Sequence, residues 1–254
     1  MGPVLMSVIV FACVLAGTFL GIFLRNRLPE NHLSEPTKDV VRLGTGLIGT
    51  IAALVLGLLI ASANSTFQTQ SSQVQQLTAD LVLLDSTLAQ YGPETASVRN
   101  QLRRAVPFMA DRIWRENGSP TGKTAQFEAS AAALLLYDEI LKLASQNETQ
   151  RSLQASATGT LQELGKMRLL LFAEAAGTVI PMPFLVVLIF WLAIIFASFS
   201  LFANNNATTV VALCIFALSA SAAIFLILEL SQPFTGLMMI SDEPLRNALA
   251  PLNL

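Results

Sequence analysis

Few side chains in this sequence could do chemistry, and those few stand apart. There is one histidine, His32, and there are two cysteines, Cys13 and Cys214. A lone histidine in a short loop, with no partner set of serine and aspartate, removes most hydrolytic schemes and leaves only carboxylate-based ones. The cysteines lie inside apolar stretches, with neither metal-ligand spacing nor a disulfide framework, and read as small buried hydrophobes. No Cys/His cluster and no Gly-rich phosphate loop is present. The residues therefore point away from an enzyme, and to no catalytic, cofactor-binding or metal site.

What remains is physical rather than catalytic. Gly46, Thr50, Ala53, Gly57, Ala61 and Asn64 recur in steps of three and four along an uncharged segment. That spacing keeps small residues on one face of a helix, where they allow close helix packing or line a pore. Leu47, Leu54 and Leu58 read as the opposite, bulky face. Further on, Val74, Leu77, Leu81, Leu84, Leu88 and Tyr91 follow 3-4-3-4-3 spacing. That is a heptad seam, suited to burial within the chain's own bundle or to an oligomer axis. Glu229 is the one acid near the end of the last apolar segment. At mid-membrane an acid would flag function; at the rim it can reach water cheaply.

The elements that must position these residues follow from the hydropathy pattern. The chain has 254 residues, of which 53% are apolar and 13% charged, with a mean hydropathy of +0.59. Soluble proteins carry about 25% charged residues. No Asp, Glu, Lys, Arg or His falls between Arg42 and Ser65 or between Gly177 and Leu228. A bilayer core needs roughly 20 apolar residues per helix. Four segments meet that need: about Val4–Leu24, Leu43–Ala63, Pro183–Phe202 and Thr208–Leu230. The first could be taken for a signal peptide, but it lacks an initial Lys or Arg and is long, so it reads as an anchor. The last two are joined by a turn at Asn204, Asn205 and Asn206.

The predicted organisation is a first membrane hairpin over 1–63, a soluble helical domain over 64–178, a second hairpin over 179–230 and a tail over 231–254. The central segment carries 10 basic and 11 acidic residues. That balance argues against a nucleic-acid partner. Its helices are expected from Asn64 to the Gly92-Pro93 break, then over about Pro93–Asn117, Thr124–Ser145 and Thr149–Ala176, with a loop at Asn117–Gly122. Arg103-Arg104 and Asp111-Arg112 with Arg115-Glu116 read as a solvated or interhelical charge face. The alternation expected of strands is not seen, so the fold class is all-α. Loop charges barely orient the protein: Arg25, Arg27, Lys38 and Arg42 stand against Lys166, Arg168 and Arg246. The tail, with a Gly hinge at Gly236, is expected to fold under the membrane helices or to run along an interface.

The tail is also where a family resemblance appears. ILELSQPFTGLMMISDEPLRNAL (227–249) resembles the closing signature of a bestrophin-like membrane protein family. The segment IPMPFLVVLIFWLAIIFASFSLFANNNATTVVAL (180–213), RLPENHLS (27–34) and AALVLGLLIASANSTFQTQ (52–70) are similar to it too. Bestrophins are homopentameric anion channels with four spans and a helical cytosolic region between the second and third. The resemblance implies a homo-oligomer in the bacterial inner membrane, a pore along the second span, and small inorganic ions as what passes. It departs from bestrophins in two respects: the second span has no aromatic residue before Phe67, and no acidic calcium clasp is recognisable. The alternative reading is a non-conducting scaffold or sensor whose soluble domain binds a partner.

Overall fold

The computed structural model describes residues 2–29, 34–115, 134–175, 182–203 and 206–250, and these are almost entirely helical, with no strand among them. Helix α1 spans Pro3–Arg27, with proline in its first turn, where a missing N–H costs nothing. Helix α2 spans Glu35–Tyr91, 57 residues, or about 85 Å at the standard rise. It ends at Gly92, whose φ of 139° suits glycine alone. The 3₁₀ turn Pro93–Thr95 follows. There Thr95 Oγ1 donates to the carbonyls of Leu88 (2.5 Å) and Gly92 (2.8 Å), capping the end of α2.

Helix α3 spans Ala96–Arg115 with Pro107 inside it, and residues 134–141 form the described part of α4. Helix α5 spans Glu148–Ala175. Asn147 Oδ1 accepts the Gln150 N–H at 2.7 Å, a helix N-cap. The membrane-length helices α6 (Met182–Phe202) and α7 (Ala207–Leu230) follow, then the single turn α8 (Glu243–Arg246). Among the described residues four helices, α1, α2, α6 and α7, are long and apolar enough to cross a membrane. His32, the Asn117–Gly122 loop, the start of the expected third soluble helix, Asn204 and Asn205 lie outside the described residues.

The chain divides into two compact units, Met1–Phe67 with Val179–Gln232, and Gln68–Thr178 with Pro233–Leu254. In the first, α1 packs against both α6 and α7. Val10, Val14, Leu185, Leu188, Ile195, Phe196, Leu213, Ala217 and Ile224 form its core, with Ala52 from α2. The close approach of α1 and α6 depends on glycine. A Cβ on Gly17 would lie 2.6 Å from the Ala193 carbonyl oxygen, and one on Gly21 would overlap the Ala197 carbonyl and Ser200 Oγ. Gly17 and Gly21 are one turn apart, the small-xxx-small spacing of membrane helix pairs.

The second unit is a helical bundle. Val98, Leu102, Val106, Ala110 and Ile113 of α3 are buried, as are Leu136 and Ile140 of α4 and Ala157, Leu161, Leu164 and Leu171 of α5. Polar clamps hold the register. Arg99 on α3 grips both oxygens of Asp85 on α2 at 2.8 and 2.9 Å, and Arg103 adds a third contact at 3.2 Å. Gln101 donates to Glu139 of α4. Gln154 Nε2 donates to the carbonyls of Ile140, Leu141 and Leu143, which satisfies the end of α4.

The tail belongs to this bundle. From Pro233 it turns at Gly236, with φ of 98°, and the Ile240 N–H returns to the Pro233 carbonyl at 2.7 Å. It lies on α3: Phe234 meets Trp114 edge to face, and Arg246 pairs with Asp111 at 2.7 Å. The tail, expected either under the membrane helices or along an interface, thus packs on α3 of its own unit. The cause is local, an indole and a carboxylate on one side of α3 matched by a carbonyl and a guanidinium in the tail.

Candidate functional site

The small-residue stripe is open. Gly46, Thr50, Ala53, Gly57, Ala61 and Asn64 are all exposed, and a Cβ added at Gly46 or Gly57 would meet nothing within 4 Å. The face of α2 that packs within its own unit is a different one, marked by the buried Thr45, Ala52 and Ala63. Packing within the subunit is thus carried by other residues. Leu47, Leu54 and Leu58 are exposed as well. At 3.6 residues per turn their row lies roughly 80° from the stripe, beside it rather than opposite. The physical reason is that both rows lie on the side of α2 that its own subunit leaves uncovered. The apolar window of α2 is 11% buried, against 28% in each of the other three membrane-length helices.

Within the stripe, Thr50 Oγ1 donates to the Gly46 carbonyl at 3.0 Å, so the hydroxyl proton is engaged and its oxygen faces out. Gly46 and Gly57 leave backbone uncovered, and Asn64 adds a carboxamide one turn beyond Ala61. The surface is narrow, uncharged and weakly polar. It holds no acid, base or nucleophile in a reacting arrangement.

The seam has the opposite character. Val74, Leu77, Leu81, Leu84, Leu88 and Tyr91 are all buried inside the chain's own bundle. The same unit buries apolar residues of α3, α4 and α5, and an oligomer axis along the seam would require the bundle to open, so its reading as an oligomer seam is corrected. Glu229 is also corrected. It is 2% exposed, not at a wet rim. Ile227, on another side of the same turn, is buried too, while Leu226 between these sides is 47% exposed.

Outside the membrane helices, the Arg99 guanidinium bonded to Asp85 holds that carboxyl below its ordinary range, and Arg103 acts the same way against the opposing effect of burial. Burial, with the nearby charge of Arg112, lowers Arg168. Arg103 and Asp111, read from sequence as a charge face, are interhelical: one binds Asp85 and the other Arg246. Among the described residues no group of three or more His, Cys, Asp or Glu is placed to hold a metal ion.

Two features escaped the sequence reading. The Gly17/Gly21 pair had a signal, glycines four apart within an apolar segment. The role of Trp114 had none, since its partners Phe234 and Ile240 are more than 100 residues away in the chain.

Residues 12–245 match the family described as Bestrophin-like, a bestrophin-like domain. Among solved structures the chain is similar to a bacterial bestrophin homolog from Klebsiella pneumoniae. Its zinc-phased crystal structure aligns with a TM-score of 0.68 at 16% identity, over 93% of this chain and 94% of that one. One mutant form aligns with a TM-score of 0.71 at 14% identity, over 98% and 96%. Another gives 0.69 at 15%, over 94% and 96%. No curated protein sequence matches. At these identities the structures speak for the fold, an all-α membrane protein.

Proposed function

This chain belongs to the bestrophin-like family, and from that premise we propose that it forms a homo-oligomeric ion channel, anion-conducting, in the bacterial inner membrane. The observation that carries this reading is the uncovered side of α2. A membrane helix that its own subunit leaves 11% buried meets lipid, a neighbouring copy or an aqueous path. A run of Gly, Ala, Thr and Asn is poor lipid-facing surface, since it offers little apolar contact and exposes backbone. The stripe from Gly46 to Asn64 is therefore assigned to the path, and the Leu47, Leu54 and Leu58 row to the neighbouring copy. Bestrophins are pentamers, and the same stoichiometry is proposed here. Uncharged walls of this kind control ions by width and wetting. Purified protein in planar bilayers is expected to give unitary currents whose reversal potential follows the chloride gradient. Silent bilayers with verified insertion would contradict conduction, and a reversal potential following the cation gradient would contradict the selectivity.

One observation favours a second reading, a scaffold whose helical unit docks a partner. Phe108, Leu134 and Leu135 of that unit are 73%, 68% and 63% exposed, which is costly in water. Crosslinking of the full-length protein in its native membrane separates the two, since the channel reading expects self-contacts at these residues and the scaffold reading a different protein.

A further inference from the structure

The first unit carries a groove that ion passage does not use. It lies between the first turns of α1 and the middle of α7, with a volume of about 300 Å³, and its lining includes Val4, Ser7, Val8, Leu218, Ser221 and Phe225. Its outer edges, Val4, Val8 and Leu218, are 61%, 57% and 61% exposed, while Ser7 and Ser221 are buried. The groove therefore opens outward and has its two hydroxyls within.

Those hydroxyls are committed. Ser221 Oγ donates to the Ser7 carbonyl at 2.7 Å, joining α7 to α1, and Ser7 Oγ donates to the Pro3 carbonyl at 2.8 Å. With both protons used, the groove offers a ligand no hydroxyl donor. A polar guest would lose its hydrogen bonds to water or headgroups without replacement. A hydrocarbon guest loses none and gains dispersion contacts from several sides at once, which a convex helix surface cannot supply. The volume sits at the lower end of small-molecule sites, suiting a run of methylenes rather than a headgroup.

Depth decides the occupant. Both walls belong to helices long and apolar enough to span a membrane, so what lies outside the opening is lipid hydrocarbon. We propose that the α1–α7 groove seats one acyl chain of a bilayer lipid, packed against the Ser7–Ser221 joint. The seat requires membrane embedding only and is independent of whether the protein conducts.

The test uses the full-length protein in phosphatidylcholine vesicles containing a phosphatidylcholine with a diazirine on one acyl chain. After photolysis, the labelled residues are mapped by mass spectrometry. Val186 and Phe190 on α6 provide the reference, being as exposed as the groove's edges but not part of its lining. Label is expected to concentrate on residues 4–11 and 218–225 above that reference. Ala222, also in the lining and exposed, can be enlarged without displacing core, so Ala222→Trp is expected to remove the excess. Equal labelling of groove and reference in the unaltered protein would overturn the proposal, whether or not the variant folds. So would an excess that survives Ala222→Trp, or disulfide crosslinking of copies through Leu218→Cys, which would show a second copy covering the groove.

Discussion

The indole N–H of Trp114 donates to the carbonyl oxygen of Ile240 at 2.7 Å, across 126 residues of chain. This bond ties the tail to α3, and it is made to a buried residue. Trp114→Phe keeps an aromatic ring against Phe234 but leaves that carbonyl without its donor. A lost bond to a buried polar group costs about 1–3 kcal/mol. Denaturant unfolding in detergent is expected to show a loss of that order, together with faster proteolysis of the tail. An unchanged midpoint and an intact tail would remove Trp114 from this role.

Asp85 predicts an acid-side loss of stability. Its folded-state pKa lies below the ordinary value because Arg99 bonds the charged form. The stabilisation is therefore present above the unfolded pKa near 4 and fades as pH falls from there through the lowered folded value. Asp85→Asn, which leaves two guanidiniums facing a neutral amide, is expected to cost roughly 2–3 kcal/mol at neutral pH. It is also expected to flatten the decline in melting temperature between about pH 5 and pH 3. A variant that retains the full decline would place its origin in other carboxylates.

The glycines divide into two kinds. At Gly21 a Cβ overlaps the Ala197 carbonyl, and backbone cannot step aside. Gly21→Ala is expected to lose about 1–3 kcal/mol through overpacking. At Gly57 nothing lies within 4 Å, so Gly57→Ala is expected to leave the subunit's stability equal or raised by about 0.5 kcal/mol through helix propensity. Thermal melts of the two variants in one detergent check this, and similar losses at both would contradict it.

Gln70 is 1% exposed, and its Oε1 has no hydrogen-bond partner. Replacing such a group with an apolar one of similar shape is neutral or favourable. Gln70→Met is expected to hold or raise the unfolding midpoint, by up to about 1 kcal/mol. A clear loss would show that the carboxamide is engaged in the assembled protein.

How much of this was legible in the sequence depends on the range of the interaction. Membrane-length helices are written in uninterrupted apolar runs, and the break after Tyr91 in Gly92-Pro93, so the all-α class and the spans could be read directly. The periodicity of Val74 to Tyr91 gave a buried face but not its partner, because a heptad pattern is the same whether the covering helix belongs to the same chain or another. The stripe from Gly46 to Asn64 was legible as a face, while its exposure was not. Small residues pack and line alike, and only the position of Thr45, Ala52 and Ala63 against the rest of the unit distinguishes the two. Glu229 was misplaced because sequence gives depth along a helix, not what surrounds it. The tail's seat on Trp114 and Asp111 had no local signal.

The central claim is that the open face of α2 lines an ion path. Its most direct test is cysteine modification during single-channel recording, in a background where Cys13 and Cys214 are replaced by alanine. Thr50→Cys, Gly57→Cys and Asn64→Cys are each introduced, with Ala52→Cys on the packed face as control, and a charged thiol reagent is applied. Unitary current is predicted to fall or change its rectification at the three stripe positions and to stay unchanged at Ala52. Modification that alters current equally at Ala52, or at none of the three, would contradict the account.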